Sequence, residues 1–280
     1  MEQPRGADPA PARTDAVWAG DMSVLVPLDG SEEAERALAP ARRLAAAFGG
    51  AVHVVSNTRP DDRWWYARYV DQLRERVADT TTHLADELDP AQGVVATARS
   101  LDPCIVCVAT HGRSRGAGIV GSTFVAIARA GAAPLVAVGP RVGAAAGADA
   151  PGHLLVCLDG SPSSEQALPL AAAWARRLGW PITTVTAADP VLVELDVEAY
   201  LEEVARRPEL AGMTVGARVL WGMEYPYEMI TRCAEREPNA LLVATTHART
   251  GLARVAFGSE VARMIHHSPV PVLVQPVRAP

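Results

Sequence analysis

The chain contains two copies of one sequence pattern, in the same order. The segment VLVPLDGS at 24–31 returns as LLVCLDGS at 154–161. Three later landmarks also return. A segment ending in Thr-His at 109–111 returns at 245–247, a Gly-Ser pair at 121–122 returns at 258–259, and a proline followed by two apolar residues at 134–136 returns at 271–273. Ordered internal repetition indicates that one structural unit has been used twice. The 280 residues therefore predict two similar domains of ordinary size.

The segments outside the two copies differ from them in composition. The first twenty residues are rich in Pro and Ala and have no apolar run, and residues 139–152 are rich in Ala, Gly and Pro. Such segments are typical of leaders and linkers. We expect a disordered leader at 1–20, domain 1 at 21–140, a linker at 141–152 and domain 2 at 153–278.

Each copy begins with a pattern typical of a strand followed by a helix. Residues 23–28 form a nearly continuous apolar run, as expected for a parallel strand that is covered on both faces. Apolar residues then recur at helical spacing up to Gly49, and Ser31 is in position to cap this single predicted helix. The second copy repeats the arrangement with Ser161 as the cap and Pro162 at the first helical position.

The remaining patterns predict a five-stranded parallel α/β sheet in each copy, with helices on both faces. The threonine-rich stretch 80–84 could also continue a helix that begins near Trp64, and the matched spacing of later landmarks favours a strand. The predicted strands two to five are 51–56, 80–84, 104–109 and 134–138 in the first copy, and 182–187, 213–220, 240–244 and 271–274 in the second.

Composition excludes several functional classes. All 26 basic residues are arginine, so no Walker-A, Schiff-base or nucleophilic lysine is present. The net charge of −6, with both signs scattered, argues against nucleic-acid and membrane partners. Four cysteines in a chain of this length do not form the disulfide framework of a secreted protein, and we therefore expect a cytoplasmic protein. Cys104 and Cys107 lie inside a predicted strand, where they should pack in the core rather than act as a redox pair.

Polar residues follow the predicted strands at their carboxyl ends. Asp29 follows strand one, the Ser56-Asn57 region follows strand two, and 109–112 follows strand four. These ends converge on one rim of a parallel sheet. The Gly121-Ser122 pair opens the next helix, whose N-terminal amides favour an anion, and Arg113 lies in the loop before it. The rim therefore predicts a phosphate site.

These segments resemble the universal stress protein family in both copies. The resemblance is carried by VPLDGS at 26–31 and CLDGS at 157–161, by ATHGRS at 109–114 and THARTG at 246–251, by both Gly-Ser pairs and by the closing apolar segments. It implies two tandem flavodoxin-like domains with strand order 3-2-1-4-5 that pair through strand five. It further implies adenine-nucleotide binding in a stress response, with little or no turnover and no catalytic or metal-ligating side chain.

The family's nucleotide motif is Gly-x-x-Gly, nine residues, then Gly-Ser/Thr, and both copies depart from it. Copy one has Ala109 at the first glycine and only eight residues before Gly121, whereas copy two has Thr245 and Ala248 at the two glycines. The resemblance implies that ATP, with or without Mg²⁺, binds in domain 1, with domain 2 degenerate. It assigns the ribose or base to Asp29, the adenine slot to Val54 and the phosphates to Ser122. The full predicted first site is Asp29, Val54, Ala109, His111, Gly112, Arg113, Gly121, Ser122 and Thr123. The weaker second site is Asp159, Thr184, Thr245, His247, Ala248, Gly258 and Ser259.

Several alternatives remain open at the level of sequence. Asp29 and Asp159 could simply cap the following helices. His111 and His247 could anchor their loops through backbone hydrogen bonds. The aromatic cluster 64–66 with Tyr69 could be core, lid or partner surface. The protein could be a tandem scaffold that binds no nucleotide. In either case we expect the fifth strands, 134–138 and 271–275, to pair antiparallel, since a Val/Leu-rich edge favours pairing, and a homodimer of the whole chain remains open.

Overall fold

The computed structural model describes residues 20–57, 68–69, 71–73, 80–85, 89–111, 120–143, 152–193, 195–237, 239–246 and 259–276. The predicted leader and the aromatic cluster 64–66 lie outside these ranges, apart from Gly20. Tyr69, which lies within the described ranges, is buried in the core.

The first half alternates strands and helices. Its elements are β1 (Ser23–Pro27), α1 (Glu32–Glu35), α2 (Leu38–Phe48), β2 (Val52–Asn57), β3 (Thr80–Ala85), α3 (Pro90–Ser100), β4 (Cys104–Ala109), α4 (Ser122–Ala130) and β5 (Leu135–Val138). The threonine-rich stretch is therefore a strand, as the spacing predicts.

The second half repeats this order. Its elements are β6 (His153–Cys157), α5 (Pro162–Glu165), α6 (Leu168–Leu178), β7 (Ile182–Ala188), α7 (Val197–Ala205), a 3₁₀ turn (Pro208–Leu210), β8 (Val215–Trp221), α8 (Pro226–Ala234), β9 (Ala240–Thr246), α9 (Ser259–His267) and β10 (Val272–Pro276).

One predicted feature of both halves is wrong. The first helix of each copy is not continuous: α1 and α2 are separated at Arg36-Ala37, and α5 and α6 at Gln166-Ala167. Pro40 and Pro169 lie in the first turn of the second helix of each pair. Proline lacks an amide hydrogen and crowds the carbonyl four residues earlier, so it is tolerated at the start of a helix and not in its interior.

All ten strands join in one sheet of order β3-β2-β1-β4-β5-β10-β9-β6-β7-β8. Each half has the order 3-2-1-4-5 with parallel pairing, which confirms the predicted fold. The halves meet where β5 pairs antiparallel with β10, with Ala137 opposite Val272, Val136 opposite Leu273 and Leu135 opposite Val274. The predicted pairing of the fifth strands is therefore confirmed.

Helices cover both faces of the sheet and enclose two cores. Cys107 belongs to the core that contains α2 and α6, and Cys104 to the core beneath α3 and α4. Burial raises the pKa of the Cys107 thiol far above its ordinary value. These two cysteines are packing residues on opposite faces, as predicted, and not a redox pair.

Contacts across the junction extend beyond the paired strands. The rings of Phe48 on α2 and Trp174 on α6 pack edge to face, with centroids 4.9 Å apart, and both side chains are fully buried. Arg177 donates a hydrogen bond to the Phe48 carbonyl at 3.2 Å. At the end of β5, a Cβ atom on Gly139 would lie 1.9 Å from the carbonyl oxygen of Ile265 on α9. The two halves therefore share both cores and a close backbone contact.

Candidate functional site

The turn after the first strand is built alike in both halves. Asp29 Oδ1 accepts hydrogen bonds from the Ser31 amide at 3.0 Å and the Ser31 hydroxyl at 2.5 Å. Ser31 Oγ in turn accepts from the Ala34 amide at 3.2 Å, so serine is the N-cap of α1. Asp159 and Ser161 repeat the same bonds at 2.9 Å and 2.6 Å. The aspartates orient the capping serines, so the alternative that Asp29 and Asp159 cap the helices themselves is wrong.

The rim of the first half is set by the neighbouring strands β1 and β4. Leu25 pairs in register with Val106, so the exposed Asp29 and the buried Thr110 follow their strands at the same edge. Ala109, at the end of β4, is partly exposed. The strand order therefore brings the turn at Asp29 and the end of β4 together, as predicted.

The loop after β4 is closed at its base by backbone contact. The Gly121 amide donates to the Thr110 carbonyl at 2.9 Å, and a Cβ on Gly121 would lie 3.1 Å from the same oxygen. Glycine is therefore favoured at 121 by the end of the strand itself, whatever else it approaches. Gly121 is the N-cap of α4 without a side-chain cap bond among the described residues, and Ser122 is exposed at the first position. Amides at such an end attract anions.

The second strand of each half holds its predicted site residue inside the sheet. Val54 has no exposed surface and packs in the core; it pairs with Val26 and Thr82 inside the sheet. The role of Val54 in an adenine slot stays a prediction. The corresponding Thr184 is also fully buried, and its hydroxyl donates to the Gly216 carbonyl at 3.2 Å. At the end of β2, Ser56 and Asn57 are closer to the rim than Val54.

A group of histidines links the first half's rim to the second half. His111 Nδ1 lies 3.1 Å from the Thr110 hydroxyl, so its described partner is a side chain, whereas the alternative given above was a backbone partner. The His111 ring also contacts His266 on α9, at 5.5 Å between centroids, and His266 contacts His267 at 5.0 Å. Burial, followed by the positive charges of His267, His111 and Arg141, lowers the pKa of His266. The adjacent histidines at 266–267 were the sequence signal for this contact, which we missed.

In its described part, the rim of the second half is covered by the segment that follows β7. A Cβ on Gly160 would lie 2.8 Å from Leu195 Cδ2, so the segment after β7 covers the turn at Asp159. Behind this turn, Glu165 forms a 2.6 Å ion pair with Arg207. Burial and the negative charge of Glu165 raise the pKa of Tyr200 above its ordinary value. Thr245 is buried at the end of β9, whereas Ser259 at the start of α9 is exposed.

Some predicted site residues cannot be placed against this geometry. Gly112, Arg113, His247, Ala248 and Gly258 lie outside the described residues. Their roles stay predictions, and Thr123, on the first turn of α4, is partly exposed.

The described residues contain no cluster of three or more His, Cys, Asp or Glu side chains that could hold a metal ion. No helix among them has the length and apolar character needed to span a membrane.

The strand order, the rim and the uncapped helix define a class of proteins built from tandem flavodoxin-like α/β domains. Sequence comparison places the chain within that class: the model of the universal stress protein family matches residues 22–139 and 152–276, and the chain belongs to this family. No curated protein matches the chain.

Solved structures agree on the fold. A universal stress protein from Archaeoglobus fulgidus DSM 4304 is 15% identical, with a TM-score of 0.64 over 90% of this chain and 97% of its own. A functionally unknown protein from Pseudomonas aeruginosa PAO1 is 17% identical, with a TM-score of 0.58 over 94% of this chain and 95% of its own. At these identities the likeness shows the fold alone.

Proposed function

We propose that this chain is a stress-response protein that binds an adenine nucleotide, ATP above all, at the rim of its first half. The observation that carries the proposal is the start of α4, where the N-cap Gly121 provides no side-chain cap among the described residues and the exposed Ser122 follows at the first helical position. Backbone amides at a helix N-terminus favour phosphate oxygens.

The residues at the rim fit the rest of a nucleotide in part. Asp29 is exposed and offers a carboxylate for a ribose hydroxyl, although Oδ1 already accepts two hydrogen bonds from Ser31. ATP would bring the adenosine and a strongly anionic triphosphate, with or without Mg²⁺. On this proposal Asp29 orients the sugar, and the amides of α4 together with Ser122 hold a phosphate. On this proposal the chain binds the nucleotide with little or no turnover.

The duplicated turn offers a matched pair of variants to test the site. Titration calorimetry with ATP on the full chain should detect binding, and Asp29→Asn should weaken it by about tenfold, the usual worth of a hydrogen bond to a charged group. Asp159→Asn alters the identical turn of the second half and should leave affinity unchanged. Absence of binding at millimolar ATP, or equal losses from both variants, would contradict the proposal.

A second candidate is a tandem scaffold in which neither half binds nucleotide. Leu195 supports it for the second half, because its side chain lies over Gly160 where the Asp159 turn would otherwise be open. The same calorimetry separates the two candidates, since a scaffold gives no heat of ATP binding in either variant.

A further inference from the structure

Large apolar side chains that are exposed to solvent are concentrated in one area of the described structure. Leu84 lies apart on β3, and the others all lie at the carboxyl ends of β7 and β8: Val191, Leu192, Leu195, Trp221, Met223 and Tyr225. Leu192 and Met223 are both 77% exposed. Concentrated apolar surface of this kind marks sites of interaction in globular proteins.

A groove of about 420 Å³ lies between the segment that follows β7 and the segment that leads into α8. Its apolar lining consists of Ala187, Leu192, Met223, Tyr225, Pro226 and Met229. The other lining residues are Asp189, Glu224 and Glu228, so the lining carries three carboxylates and, among the described residues, no basic side chain.

Tyr225 is exposed but packs against two neighbouring side chains. Its ring stacks on Tyr227 with centroids 5.9 Å apart, and the Arg263 guanidinium lies 5.6 Å from the centroid of each ring. Exposed aromatic side chains of this kind are enriched among the residues that dominate binding energy at interfaces.

The carboxylates around the groove are also fixed in position. Asp189 accepts from the Val191 amide at 2.8 Å, and Glu228 accepts from the Tyr227 hydroxyl at 3.0 Å. Neither of these two donors carries a positive charge, whereas Glu224 pairs with the Arg232 guanidinium at 3.2 Å. The groove therefore attracts cationic groups and disfavours anionic ones.

We propose that this groove binds a short segment of a partner protein in which one or two large apolar side chains are flanked by arginine or lysine. The apolar side chains would cover Leu192 and Met223, and the basic groups would pair with Asp189 and Glu228. The groove lies at the β7–β8 end of the sheet, so the proposal does not depend on nucleotide binding by the first half.

Selection of random peptides displayed on phage against the full chain tests the proposal without a known partner. We expect the enriched peptides to place leucine, methionine or an aromatic residue beside arginine or lysine. Synthetic fluorescent copies should lose about tenfold or more of their affinity for the Leu192→Ser/Met223→Ser variant. Leu84→Ser removes an equally apolar exposed side chain at the other end of the sheet and should leave affinity unchanged.

A second variant tests the contribution of the two carboxylate charges. Asp189→Asn/Glu228→Gln keeps both hydrogen-bond acceptors and removes both charges, and it should weaken the same peptides and reduce the dependence of their affinity on salt. No enrichment, enrichment of acidic or uncharged peptides, or an equal loss with Leu84→Ser would overturn the proposal. Sedimentation that shows a dimer lost only in Leu192→Ser/Met223→Ser would also overturn it, since a second copy would then be the occupant.

Discussion

Gly139→Ala should strongly destabilise the protein because it forces the two halves apart. The new Cβ would lie 1.9 Å from the Ile265 carbonyl oxygen and 3.0 Å from its carbon, and both of these are backbone atoms that no rotamer change can move. Contacts of a Cβ below 3.0 Å are essentially never seen, so the backbones must separate by roughly 1 Å. That separation strains the β5–β10 ladder one residue away and should cost about 3 kcal/mol, from overpacking together with weakened hydrogen bonds.

Urea unfolding followed by tryptophan fluorescence measures this cost, with Gly152→Ala as the control. A Cβ on Gly152 meets nothing within 4 Å. The hydrogen bond from the amide of residue 152 to the Asn239 carbonyl is kept, so this variant should unfold like the wild type. If Gly139→Ala folds and its free energy of unfolding matches that of Gly152→Ala, the close approach of β5 to α9 is refuted.

Three further results follow from other contacts. A double-mutant cycle on Phe48→Leu and Trp174→Leu, measured by urea unfolding, should give a coupling energy of about 0.5–1.5 kcal/mol, and purely additive losses would argue against the shared core. Ser161→Ala should lower the free energy of unfolding by about 1 kcal/mol and Ser161→Thr by much less, since only the second keeps the cap; equal losses would contradict the cap. Burial lowers the pKa of His53 and His83, and the charge of His83 lowers that of His53 further. As the pH falls below about 6.5, these two side chains therefore take up protons in the unfolded chain before they do so in the folded protein. The free energy of unfolding should fall from pH 7 to pH 5, less steeply in His83→Gln, and an unchanged slope in that variant would disprove the assignment.

Much of the fold could be predicted because its determinants are local. The strands, the stops at Gly49 and Gly179, and the caps at Ser31 and Ser161 each depend on residues within a few positions of one another. The antiparallel meeting of the fifth strands also follows from sequence, because two apolar edge strands need partners. The breaks in the first helices lie just before Pro40 and Pro169, which our prediction from apolar spacing did not take into account.

The candidate site was predictable only in part. The turn at Asp29 and the start of α4 at Gly121 follow from strand order, whereas the full burial of Val54 depends on how α2 packs on β2. Similarity of sequence motifs indicates which residues lie near the rim. It does not indicate which of their side chains are buried in the core.

By itself, the sequence determined that the chain forms two copies of one α/β unit, since hydrophobic periodicity and capping residues act over short distances. Only the tertiary structure decided that His111 meets His266, that Gly139 touches Ile265, and that exposed apolar residues gather around Met223. Those contacts join residues far apart in the chain, and their distances depend on the twist of the ten-stranded sheet and the packing of helices across it, which no local pattern encodes.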